Sequence, residues 1–290
     1  MTAIPVARAA RPGRSKTFRR FTANRLGVIG LVVVVVLTVM ALLAPYIAPF
    51  DPAKQDFSAL LQPASRAHWL GTDELGRDTL TRVMYGARIS LSAGLVSVAL
   101  ALLVGTLLGL ISGFVGGWLD ELIGRFIDAL LAFPFLILAI TLASVLGPSL
   151  QNTMLAIAIV TTPAFARVTR AQVLAQRELE YVQAAGALGA GSGRTLLRHI
   201  LPNISGALIV QTSLAIAEAV LAESTLSFLG LGVQPPTPSW GSMLNTARGY
   251  LQTAPWLALA PGVIIFATVL AFNLLGDGLR DALDPRGKTK

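Results

Sequence analysis

The sequence predicts an all-α membrane protein: six transmembrane helices, both termini inside, and a helical cytoplasmic loop between the fourth and fifth spans. Three observations carry this. Of the 290 residues, 54% are hydrophobic and 13% charged, about half the charge of an average soluble domain. Four stretches hold no charged residue (26–50, 89–119, 129–166 and 249–276), and each exceeds the roughly 20 apolar residues that cross a bilayer core. The basic residues collect in alternate loops, as the positive-inside rule requires. Backbone groups in lipid must be satisfied within their own segment, so the apolar runs are helices. None shows the alternating pattern of a barrel strand.

Residues 1–26 form a basic tail with Arg8, Arg11, Arg14, Lys16, Arg19, Arg20 and Arg25 and no acid. Met1–Arg11 is expected to be disordered. Phe18–Leu26 mixes Phe and Arg at near-helical spacing, which suits a short helix lying in the membrane interface; a disordered tail with incidental Phe is the alternative. Basic-then-apolar is also the order of a signal peptide. Here the apolar run is too long and continues past Ala44-Pro45-Tyr46, so a retained anchor is expected. The first span, Gly27–Ile47, occupies 27–48.

Residues 49–88 are the external loop. Asp51–Arg88 holds five acids and five bases, and long loops translocate with little regard to charge. Gly71-Thr72-Asp73 and Gly76-Arg77-Asp78 predict Asx- or Thr-capped turns, read as ordering the loop on the bundle rather than touching a ligand.

Residues 89–283 hold a five-helix core. The second span is Ser90–Phe114, where Gly105, Gly109 and Gly113 recur every fourth residue and permit close helix packing. The third runs from near Phe126, with Asp128 at its interfacial inner end, to the hairpin Gly147-Pro148. The fourth is Leu150–Val168. Pro134 and Pro163 predict kinks in these two. The fifth is Ile204–Leu229 and the sixth Pro255–Gly276, ahead of a cytoplasmic tail, 284–290. Glu218 and Glu223 lie five residues apart in the fifth span, hence about 140° around the helix. Ionisable groups inside a membrane are functional candidates by default, so both are candidates for a solute pathway or its gate. Helix packing by a hydrogen-bonded Glu is the alternative reading.

The loop 176–203 is the polar segment caught between spans. Glu180, Tyr181, Ala184, Ala185, Ala187 and Leu188 recur at spacings near three and four and predict a helix with one small, apolar face. Small side chains let a partner approach the backbone. Gly189-Ala190-Gly191-Ser192-Gly193 breaks that helix, and Arg194–Ile200 starts another leading to Pro202. The result is a helix-turn-helix knob, stiff enough to receive a push.

Ala184-Ala185, Gly189 and Leu201-Pro202 also stand at the spacing of a known loop: E-A-A, three residues, G, nine residues, I-x-L-P. The chain therefore resembles the membrane subunits of bacterial ABC importers, with Gln183 in place of the Glu and His199 in place of the first Ile. Four further stretches, Leu70–Asp78, Tyr85–Leu91, Leu226–Gly232 and Asn273–Asp281, narrow the resemblance to permeases of the dipeptide/oligopeptide/nickel type, and to the shorter member of their pair. The resemblance spans about Phe18 to Arg286. It implies a subunit of the bacterial inner membrane that forms a pathway with a second homologous permease. Two ATP-binding subunits would carry ATP and Mg and grip the coupling residues Glu180, Tyr181, Ala184, Ala185, Ala187, Leu188 and Gly189. A substrate-binding protein would deliver the cargo: peptides, or alternatively nickel chelates, opines or sugars.

Other classes fail on residues. The net charge of +8 sits largely in the N-terminal tail, which reads as topology-setting rather than nucleic-acid binding. No cysteine is present, which excludes disulfides and thiolate chemistry. A phosphate loop would need Gly-Lys-Ser/Thr opening a helix; Gly287-Lys288-Thr289 lies in the last four residues instead, so no cofactor is expected here. His68 and His199 fall on opposite sides of the membrane and predict no metal site. An ion-coupled carrier would show inverted repeats or broken midplane helices, and an intramembrane enzyme a paired acid, base or nucleophile. Neither pattern is evident.

Overall fold

A computed structural model describes residues 14–283. The expected disorder of Met1–Arg11 and the tail 284–290 lie outside the described residues. Within them every regular element is helical, and strand-like pairing is limited to an isolated bridge between Thr72 and Asp78.

Helix α1 (Arg14–Ala23) is short and leads into α2 (Arg25–Ile47). The break falls at Asn24, whose side-chain oxygen accepts from the Gly27 amide at 3.0 Å. Its amide nitrogen donates to Asp281 at 2.9 Å, tying the start of the bundle to its end. A short helix thus precedes the first span, as the Phe/Arg spacing predicts, though it begins at Arg14.

Helix α3 (Thr79–Val115) begins at Thr79 rather than Ser90. Asp78 starts it, accepting from the Thr81 amide at 2.8 Å. Its 37 residues extend about 55 Å at 1.5 Å per residue, well beyond a hydrocarbon core, so its first turns stand in the loop layer. That layer is closely folded. Asp73 Oδ1 accepts from the Leu75 and Arg77 amides at 3.0 and 2.9 Å, and its Oδ2 meets Arg77 Nε at 2.7 Å and Arg82 Nε at 3.4 Å. Asp78 Oδ1 meets His68 Nδ1 at 3.0 Å. Arg77 also holds Glu74 at 2.9 Å. Burial, with Asp73 beside it, still raises the Glu74 carboxyl above its ordinary value. Trp256 Nε1 donates to the Thr72 carbonyl at 3.4 Å. The two Gly-x-Asp turns are therefore a buried ionic plug over the bundle.

The stretch predicted as one third span is two helices, α4 (Gly117–Leu131) and α5 (Phe135–Leu146), bent by 91° at the break between them. Pro134 supplies the reason. It lacks an amide hydrogen and drives the preceding residue out of the helical region. Helix α6 (Leu150–Arg177) runs through Pro163 without a break and past Val168 to Arg177.

Then come α7 (Glu180–Ala187) and α8 (Ser192–Thr195), a π turn at Leu196–Ile200, α9 (Leu201–Phe228), α10 (Trp240–Ala247) and α11 (Trp256–Leu283). Helix α10 was not predicted. It is a short capping-box helix started by Ser239 and Ser242, and its Trp240 is fully buried, with Nε1 donating to the Val83 carbonyl at 3.1 Å.

Five described helices are long and apolar enough to cross a membrane: α2, α3, α6, the rod from Ser192 to Phe228, and α11. The bent α4–α5 pair makes six if taken as one broken span. The core runs along α3, α6 and α9. Helices α3 and α6 approach most closely where Gly105, Gly109 and Gly113 face α6. A Cβ on Gly109 would stand 2.5 Å from the Thr169 Cβ and 2.6 Å from the Ala166 carbonyl.

Candidate functional site

Helix α7 is a short helix held to the bundle by one buried side chain and one hydrogen-bonded one. Val182 is its sole buried residue and joins Val173 of α6 and Ile200 and Ile204 of the following rod in the main core. The remaining face is open: Glu180, Tyr181, Gln183, Ala184 and Ala187 are exposed, and Leu188 is 89% exposed. With alanines beside it that bring the backbone to the surface, Leu188 gives α7 a small, exposed apolar face.

The C-terminal end of α7 explains why glycine is required. Gly189 adopts φ +83°. Its amide donates to the Gly186 carbonyl at 2.9 Å, and the Ala190 amide reaches back to Ala185 at 3.0 Å. These two bonds are the Schellman cap, which needs a left-handed residue at this position. Nothing lies within 4 Å of where a Gly189 Cβ would stand, so backbone conformation, not crowding, imposes the glycine.

A polar knot keeps α7 in register with the spans. Tyr181 Oη donates to Gln176 Oε1 at 2.7 Å, and Asn203 Nδ2 donates to Tyr181 Oη at 3.0 Å and to the His199 carbonyl. Tyr181 thus links the end of α6 to the start of α9. His199 belongs to the π turn, which is closed by the Leu201 amide on the Leu196 carbonyl. Sequence reading expected a second helix from Arg194 to Pro202; it starts at Ser192 and continues, through the wide turn, into α9. Gln176, Val182 and Asn203 were not singled out from sequence. Buried, Val182 breaks the pattern of small exposed residues around it, and that was the available signal.

A second set of contacts was also missed. Arg170 on α6 grips Asp120 on α4 through two bonds of 2.6 Å, and Ser112 of α3 donates to the same carboxylate. Arg167 meets Asp128 at 2.6 Å. These pairs flank a polar cleft of about 440 Å³ and clip the bent α4 to α6. Arg177 adds a bond to the Gly113 carbonyl at 3.2 Å. Sequence reading took the arginines as topological charge alone.

The two intramembrane glutamates are not brought together. Glu218 is exposed on α9. Glu223 is fully buried, accepting from Ser227 at 2.7 Å, with Ser90, Ser224 and Ser239 around it, beneath the start of α10. Among the described residues no cluster of His, Cys, Asp or Glu could hold a metal ion.

Among the described residues the fold is a bundle of apolar helices, five of them or up to six long enough to cross a membrane, with the short helix α7 set apart by its exposed face. Residues 105–289 match the family of binding-protein-dependent transport system inner membrane components, and residues 15–64 match the N-terminal transmembrane domain of oligopeptide transport permease C. The chain belongs to this family of inner-membrane permeases. It is 47% identical to the dipeptide transport system permease protein DppC of Haemophilus influenzae, over 99% of this chain and 100% of that one. It is 47% identical to the di/tripeptide transport system permease protein DppC of Pseudomonas aeruginosa, over 96% and 94% of the two chains. With the glutathione transport system permease protein GsiD of Pectobacterium atrosepticum it shares 43% identity, over 100% and 97%.

Proposed function

We propose that this chain is one of two permeases in an ATP-driven peptide importer and that α7 is where an ATP-binding subunit docks. The observation that carries the coupling role is the geometry of α7: a bare, capped helix fixed to two spans by Val182 and Tyr181. A displacement of such a helix cannot be absorbed locally, so it passes to α6 and α9. Rigid, bistable packing then converts a small shift into inward- and outward-open arrangements. ATP and Mg belong to the partner chains, and a substrate-binding protein supplies cargo on the far side. The chain itself carries no catalysis.

We take α4–α5 as one broken span; six crossings would leave both termini and α7 on one side of the membrane, and the basic residues favour the cytoplasm as that side. Peptide cargo follows from the names of the relatives, all of which concern di- or tripeptides or glutathione. Glu218, exposed within an apolar helix, is proposed to line the pathway, and Glu223 to brace the outer gate from beneath α10.

The test is reconstitution with the ATP-binding partners. Leu188→Asp and Gly189→Arg should leave the subunit inserted and paired with its sister permease. Each should lower cargo-stimulated ATP hydrolysis at least tenfold, as expected for loss of about 1.4 kcal/mol or more of docking energy. Full stimulation by both variants would remove α7 from the coupling role.

A further inference from the structure

We propose that the groove between α2 and α3, on the side of the Asp51–Asp78 loop, is a binding site for an anionic phospholipid. The groove encloses about 520 Å³, within the roughly 300–1,000 Å³ of small-molecule sites. Thr38 and Leu42 of α2, Leu95 of α3 and Pro238 beyond α9 form its walls, and Tyr85 and Arg88 stand at its mouth.

The donors point to the ligand. Tyr85, Arg88, Ser92 and Leu95 recur at spacings of three and four along α3, so they share one stripe. Arg88 is exposed, and among the described residues neither its guanidinium nor the Tyr85 hydroxyl has a hydrogen-bond or ion-pair partner. No acid lines the groove. The other arginine on the same helix, less than two turns earlier, behaves oppositely: Arg82 is buried and held by Asp73 and the Pro52 carbonyl. An arginine kept at the margin of an apolar helix normally pairs or snorkels to a headgroup. Here it stands over a slot open to lipid, with Leu42 66% and Leu95 47% exposed. A phosphate accepts from Arg88 and Tyr85 together, and an acyl chain lies along Leu42 and Leu95. Water or a free anion satisfies the first requirement and leaves the apolar walls uncovered. A lipid satisfies both, and the assignment holds for whichever leaflet contains the loop.

The absence of cysteine makes the experiment direct. Leu95→Cys in the full chain, purified with the partners that accompany it and with their accessible cysteines replaced, takes one bimane at the lip of the groove. In nanodiscs, nitroxide-labelled phosphatidylglycerol should quench it about fivefold more strongly than nitroxide-labelled phosphatidylcholine, the ratio matching the ~1 kcal/mol one basic residue contributes near anionic lipid. Arg88→Gln should bring the ratio to one, and Arg88→Lys should keep most of it. Thr38→Trp, which narrows the apolar end and leaves Arg88 in place, should lower quenching by both lipids. A ratio of one with Arg88 present would mean annular lipid only. No quenching by either lipid would mean that the second permease covers the groove. Either result overturns the proposal.

Discussion

At the level of single residues, the proposed coupling helix depends on a few positions whose roles differ in kind. Gly189 supplies a backbone conformation, Val182 an anchor, Tyr181 a bridge and Leu188 an exposed apolar side chain. The Gly189 role can be separated from the others. An alanine at φ +83° carries a left-handed penalty of about 1–2 kcal/mol, whereas asparagine tolerates that region better. Gly189→Ala should therefore raise opening of the Schellman turn about 5–30-fold, and Gly189→Asn should raise it less. Hydrogen exchange at the Gly189 and Ala190 amides reads this directly. Equal exchange in both variants would show that the cap is held by something other than the glycine. Glu223 illustrates a different lesson. Its charge drew attention in the sequence, yet the structure surrounds it with serines under α10, while the less shielded Glu218 is the one exposed on the helix.

At the level of elements, the α3–α6 pair is the spine of the bundle. Gly109→Leu would put a side chain where even a Cβ stands 2.5 Å from Thr169, and overpacking of this kind costs about 1–3 kcal/mol. Gly124 on α4 has nothing within 4 Å of its Cβ position, so Gly124→Ala should be neutral or slightly stabilising. Thermal unfolding of the detergent-purified chain should separate the two variants; equal melting would place the helix contact elsewhere. Helices were legible because uncharged runs leave no other structure possible in lipid. Their limits were less so, and for a physical reason. Charge was read as marking the membrane edge, but Asp78 and Arg82 are buried and bonded within the loop plug, and Asp78 caps α3 so that it begins at Thr79. The α4–α5 break needed the angle as well as Pro134, since Pro163 sits within an uninterrupted α6. Helix α10 was hidden in a loop too short and polar to show periodicity. At the coupling segment the spacing of small residues was readable, whereas the Tyr181–Asn203 knot joins residues 22 apart and needed the fold.

At the level of the whole molecule, the cysteine-free sequence permits a clean test of sidedness. Gln55 in the loop and Ser192 beyond α7 are both exposed. A membrane-impermeant maleimide should label Gln55→Cys on intact spheroplasts and Ser192→Cys only after permeabilisation. The reverse pattern would invert the topology, and labelling of both on intact cells would mean that α4–α5 does not complete a crossing.

The wide turn at Leu196–Ile200 has a further consequence for how such a protein can change over generations. A π turn is an α-helix with one residue too many, so here the rod tolerates a length change that an ordinary helix does not. Deleting one residue between Leu196 and Ile200 would let the turn close into regular helix. Because the wide turn already absorbs that residue, the rod on either side of it, α7 included, would keep nearly its present facing. A single deletion at this point is thus a trim and not a re-aiming: the knob shifts by one residue's rise, about 1.5 Å, and keeps its facing.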